Sequence, residues 1–170
     1  MVIFKEDSED WKRLDFDTLK RGPIALYHSA SLLTRDVEEM RSLGYLVLPM
    51  DLESEDEESF HTLVARVLKF PGYYGRNLDA LNDCLGGLPE TFGEDLLIVL
   101  DSFDTFFRRD ERSAHIILDL LWQNSMRNQL WGHTTITFVR SADPRFEVPP
   151  VGAAGVGWNS EEFLNSSRGV

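Results

Sequence analysis

One cysteine, Cys84, stands among the 170 residues, and that count excludes an internal disulfide and any metal site built from several thiolates. Basic residues are scarce as well. Lys and Arg number 17 against 29 Asp and Glu, a formal net charge of −12, and the resulting field repels phosphate backbones and anionic lipid heads. Direct binding to nucleic acid or to a membrane surface is disfavoured; the acidic charge serves solubility first, and a basic protein partner is the sharper alternative. Long apolar runs are missing too: nowhere do 18 apolar residues follow one another, and MVIFKEDSEDWKRLDF at the start turns polar after three apolar residues. No membrane span and no secretory leader is expected, and a reducing cytoplasm suits the lone thiol. A glycine-rich phosphate loop, a GxSxG elbow and an HExxH pair are all missing. The four histidines, His28, His61, His115 and His133, do not pair on one face, and His61 falls on the polar side of its expected helix. With no basic residue near it in sequence, Cys84 reads as a buried, inert thiol. No catalytic set, metal or cofactor is expected.

What is present is enough for one well-cored domain. Apolar residues make up 42% and charged residues 27%, an ordinary globular composition. Apolar runs at 24–28, 45–50, 96–100 and 134–139 read as strands, the first two joined by a helix with Leu33, Val37, Met40 and Leu43 at helical spacing and Gly44 as its C-cap. That segment reads as a βαβ unit, two parallel strands with a crossover. Phe60, Leu63, Val64, Val67 and Leu68 mark a helix ending before Pro71, and Ser54 to Glu57 has capping-box spacing at its start. Residues 112–130 form a long helix. Residues 1–22 suggest at most a short helix, and the Pro- and Gly-rich segment after Ala142 is expected to run extended over the surface, pinned by Trp158 or Phe163. The fold class is α/β with a largely parallel sheet.

One stretch is unusual: FPGYYGRNLDALNDCLGGL, Phe70 to Leu88. Pro71, Gly72 and Gly75 mark turns, Asn77 is a good N-cap, and LDALNDCL reads as a short helix closed by Gly86 and Gly87. Leu78, Leu81 and Leu85 share an inward face with Cys84 beside them, which turns Asp79, Asn82 and Asp83 outward. Like charges four apart on a helix repel slightly, and Asp83 lies beyond the reach of the helix N-terminus, so the pair does little for the helix itself.

Pro71, Tyr73-Tyr74-Gly75, Asn77-Leu78-Asp79-Ala80-Leu81 and Asp83 resemble the central motif of the barstar family, intracellular inhibitors of secreted bacterial ribonucleases, and the order of elements from about 44 to 140 resembles that family's fold. The resemblance implies a layered α/β fold with a three-stranded parallel sheet, extended here by one N-terminal strand and helix. It divides the chain into an N-terminal extension (1–43), a barstar-like domain (44–140) and a C-terminal tail packed on the surface (141–170). It also implies a protein, monomeric when free, that plugs the active site of a basic ribonuclease or other nuclease toxin, as bacterial immunity proteins and antitoxins do. Asp83 would then occupy the phosphate site, Asp79 would meet a further cation, Tyr73 would pack on a catalytic histidine, and Tyr74 would be buried. Arg76 and Asn77 would join from the preceding loop. Asn82 and Leu88 stand where the family prototype has tryptophans, and Gln123 where it has a glutamate, so these three complete the expected partner face.

Two other readings use different residues. Asp51, Asp101 and Asp104 follow apolar strands at their C-terminal ends, where clustered carboxylates hold Mg²⁺ in some parallel α/β enzymes. A non-inhibitory interaction module would instead dock through the terminal extensions and an exposed apolar patch drawn from Leu88, Trp131 and Trp158.

Overall fold

The computed structural model describes residues 10–152 and 154–170. Its centre is a parallel sheet in the order β2-β3-β4-β1-β5, formed by β1 (Ile24–Tyr27), β2 (Leu46–Asp51), β3 (Leu96–Asp101), β4 (Thr135–Arg140) and β5 (Gly157–Trp158). The interior strands are largely apolar on both faces, with buried Thr135 and Thr137 of β4 as exceptions, as suits a sheet covered on both sides. Residues alternate between the two faces. Leu26, Met50, Ile98, Leu100 and Val139 meet the larger core, while Ala25, Tyr27, Leu97, Val99, Ile136 and Phe138 meet the smaller one. Pro49 lies exposed in β2, an edge strand, where its missing N–H removes no ladder bond.

The smaller core is closed by α1 (Leu14–Leu19) and α2 (Ala30–Ser42). Ser29 caps α2 by accepting from Leu32 N. Gly44, at φ +95°, ends it by the expected route, with Gly44 N donating to Arg41 O and Tyr45 N to Met40 O. β1 and β2 are parallel, but they are not neighbours, because β3 and β4 lie between them. Three strand spacings are about 14 Å, and the 13 residues of α2 span about 20 Å. The helix therefore crosses the sheet and packs on β1, β2 and β4.

The larger core is covered by α3 (Glu57–Val67), α4 (Leu78–Gly86), α5 (Leu88–Phe92), α6 (Phe103–Arg109) and α7 (Glu111–Leu130). α5 and α6, only five and seven residues long, are too short for helical periodicity to mark them in the sequence. The capping box of α3 sits two residues later than its sequence spacing suggests: Asp56 and Ser59 form it, not Ser54 and Glu57. The reason is tertiary. The Arg109 guanidinium takes the carbonyls of Leu52, Glu53 and Glu55 and holds 52–55 as a turn, so the helix starts only after it.

The segment after residue 141 does more than lie on the surface. Phe146 and Val151 enter the larger core, and β5 pairs with β1 to become an edge of the sheet. Between them the chain crosses α7, where His115 Nε2 meets Pro150 O at 3.0 Å and Asp119 accepts from Gly152 N at 2.8 Å. Trp158 is held beneath Arg168, 4.3 Å from guanidinium to ring centre, whereas Phe163 is exposed. Gly152 has φ +61°, and a Cβ there would fall 2.5 Å from the Trp122 ring. Gly152→Ala is therefore expected to cost about 2 kcal/mol, through overpacking and left-handed strain together, read as a fall of roughly 4–8 °C in the melting midpoint. No helix among the described residues is long and apolar enough to cross a membrane.

Candidate partner-binding face

The Phe70–Leu88 stretch folds as a loop feeding a helix, and each piece has a local cause. Lys69 takes φ +54°, and Phe70 N donates back to Ala65 O, which ends α3 in a Schellman turn before Pro71 is reached. Tyr74 N donates to Pro71 O, Arg76 adopts φ +50°, and Asn77 Oδ1 accepts from Ala80 N at 2.8 Å to start α4. Leu81 and Leu85 are buried and Leu78 packs beside them, so the opposite stripe faces solvent. Asp79 and Asp83 lie on it, exposed and without an ion pair among the described residues. Tyr73, at the head of the loop, is 87% exposed. Arg76 opens onto a cleft whose other wall carries Asp56, Glu57, Arg109 and Asp110.

The loop is tied down from beneath. The Tyr74 hydroxyl and His61 Nδ1 share a 2.5 Å hydrogen bond, and the Tyr74 ring packs against Phe70 and His61. His61 is thus buried rather than on the polar side of α3. The loop folds over a flank of the helix that an isolated α3 would leave wet. A sequence signal existed, since Val64 and Leu68 follow His61 at i+3 and i+7. Burial pushes the Tyr74 hydroxyl up to about 12, and burial also holds the His61 imidazole below its ordinary range, against an opposing pull from Glu57. A depressed folded value means that the stability is fully present above the unfolded imidazole value of about 6.5 and is lost as pH falls through the folded one. Between pH 7.5 and 5.5 the wild type is therefore expected to lose stability to urea that His61→Gln does not lose. Equal slopes in the two proteins would remove His61 as the cause.

Three expected face residues are placed otherwise. Leu88 is 1% exposed; the Gly86-Gly87 turn swings the chain back, and Leu88 begins α5 inside the larger core, so it offers nothing to a partner or to an apolar patch. Asn82 is turned partly inward, its Oδ1 accepting from Asn124 Nδ2 of α7 at 2.9 Å. It reads as a strut between α4 and α7 and not as a free outward group. Gln123 is exposed on α7 but is engaged by Asp119 at 2.5 Å. Tyr73, Arg76, Asp79 and Asp83 remain open together.

The aspartates of the metal reading are occupied by the fold. Asp51 accepts from Glu53 N, Asp101 from Ser102 N and from Arg140 Nε at 2.5 Å, and buried Asp104 pairs with Arg108 at 3.1 Å. No cluster of three His, Cys, Asp or Glu suited to a metal occurs among the described residues. Cys84 is half-buried, and burial first, then neighbouring Asp83, pushes its thiol upward, which keeps it protonated and a poor nucleophile.

No curated protein is detectably similar to the chain. The family model described as barstar, barnase inhibitor, matches residues 47–139, a span that runs from β2 to β4 and includes the loop and helix just described. Members of that family are inhibitors rather than enzymes, and by this match the chain belongs to the barstar family.

Proposed function

We propose that this protein inhibits a basic ribonuclease, or a related nuclease toxin, by laying α4 and its preceding loop into the enzyme's active site. The observation that carries the reading is the free acidic stripe: Asp79 and Asp83 stand on one exposed helical face, with exposed Tyr73 in the loop that precedes it, and no cation among the described residues pairs with them. Carboxylates so placed imitate the phosphates of a nucleic-acid substrate, and nuclease Arg or Lys side chains pair with them through charge-assisted hydrogen bonds. The net charge of −12 draws a basic enzyme in from a distance, an effect that weakens as salt rises. Tyr73 supplies a rigid ring with a polar tip, suited to packing on a flat side chain in the cleft. Arg76, across a cleft from Asp56 and Asp110, borders this contact.

The test is inhibition by the whole protein of barnase and of a panel of basic secreted ribonucleases and nuclease toxin domains, followed by titration of the double variant Asp79→Ala/Asp83→Ala. Stoichiometric inhibition that the double variant loses supports the reading. Inhibition of no member, or undiminished inhibition by the double variant, overturns it.

A further inference from the structure

The acidic stripe of α4 does not end at Asp83. Gly86 follows at i+3, so Asp79, Asp83 and Gly86 lie on one line down the helix, spanning about 10 Å by helical rise. At Gly86 the surface drops into a cleft shared with Pro89, Glu90, Trp131 and His133. Trp131 caps the C-terminus of α7 and is 77% exposed, and Leu130 before it is 85% exposed. Together with Tyr73 these are the three most exposed large apolar side chains among the described residues. The free carboxylates therefore lie between an exposed tyrosine at one end of α4 and an exposed tryptophan at the other. Scattered exposed apolar residues mean little, whereas aromatic groups bracketing a charged stripe have the composition of an interface centre.

Nothing in the described chain covers Trp131. The C-terminal segment crosses α7 through His115, Asp119 and Trp122, positions at i, i+4 and i+7 of one stripe. Asn124, Arg127 and Trp131 follow a different stripe roughly opposite, and it is this one that faces α4: Asn124 bonds to Asn82, and Arg127 Nη1 lies 3.2 Å from where a Gly86 Cβ would stand.

We infer that Trp131, with Leu130, extends the partner-binding face as an apolar hook, and that the occupant is the same basic nuclease, carrying an apolar ledge beside its cationic site. This rests on the inhibitor reading above. The hook acts after encounter. The net acidic field sets the rate of approach, whereas the tryptophan, burying apolar area only in the docked complex, joins the contacts that set how slowly the partner leaves.

The experiment measures association and dissociation rates against whichever ribonuclease of the panel, barnase included, the wild type inhibits, using Trp131→Ser, Asp83→Ala and, as an exposed apolar control away from α4, Phe163→Ser, each with its melting midpoint. Trp131→Ser is expected to weaken binding about 30-fold, almost wholly through faster dissociation, with its midpoint unchanged and Phe163→Ser silent. If Trp131→Ser binds within twofold of wild type while Asp83→Ala fails, the hook is wrong and the inhibitor reading stands. Inhibition of no nuclease removes both. Should free wild type sediment as a dimer that Trp131→Ser dissolves, the surface belongs to a second copy and the inference also falls.

Discussion

Asp83→Ala is expected to weaken the nuclease complex by on the order of 100-fold, because it strands the partner's cations in a site closed to water. Asp79→Ala should cost less, since Asp79 lies a turn nearer the loop and the helix N-terminus already draws on its charge. Both residues are exposed in the free protein and bear on no core contact, so the melting midpoint should stay within about 2 °C, as for surface substitutions generally. Glu147→Gln provides the control. It removes the same unit of charge from an exposed site on the tail and should slow association only slightly. The two effects separate by salt: at about 0.1 M the screening length is near 10 Å, so the loss from Glu147→Gln fades with added salt while most of the loss from Asp83→Ala persists. Equal losses from the two variants would mean that the overall field, and not contact by α4, governs binding.

Glu162→Ala should be among the most damaging single changes to stability, although the two main-chain groups that its carboxylate holds lie far from it in sequence. It is 4% exposed, and its carboxylate accepts from His28 N at 2.9 Å, Ser29 N at 2.8 Å and Asn159 Nδ2 at 2.6 Å. The tail thereby supplies an acceptor to the N-terminal end of α2, where a negative charge is also favoured by the helix dipole. Alanine leaves two main-chain N–H groups unpaired at a buried site, at about 1–3 kcal/mol each. A total of about 3 kcal/mol corresponds to a fall of roughly 6–12 °C in the melting midpoint. Glu161→Ala, next door, is the contrast. Its bond is an exposed pair with Arg35, worth about 0–1 kcal/mol, and should barely register. Comparable midpoints for the two variants would show that the tail is not anchored through Glu162.

The local readings were strongest where neighbours in sequence supply the cause. Asn77 caps α4 because its own side chain reaches Ala80 N, Gly44 ends α2 because only glycine takes φ +95° without strain, and β3 is a strand because Leu96–Leu100 is apolar throughout. The acidic stripe was legible on the same grounds, since Asp79 and Asp83 are placed by helical period alone once the leucines are known to face inward. Expectations failed where a distant group intervened. Arg109 moved the start of α3, the larger core took in Leu88, Asn124 drew Asn82 aside, and Tyr74 covered His61.

From the sequence alone came the α/β class, the parallel strands, the acidic field and the identity of the loop and helix that offer Tyr73, Asp79 and Asp83, because each depends on composition or on residues within one or two helical turns of one another. The tertiary structure decided the rest: that β1 joins the sheet beside β4 and not beside β2, that the tail closes the far edge as β5 and anchors α2 through Glu162, and that Trp131 lies at the foot of the acidic helix. These relations join residues separated by between 45 and 134 positions in the chain. Only packing of the two cores onto one sheet brings such residues within reach, and no periodicity in the sequence encodes it.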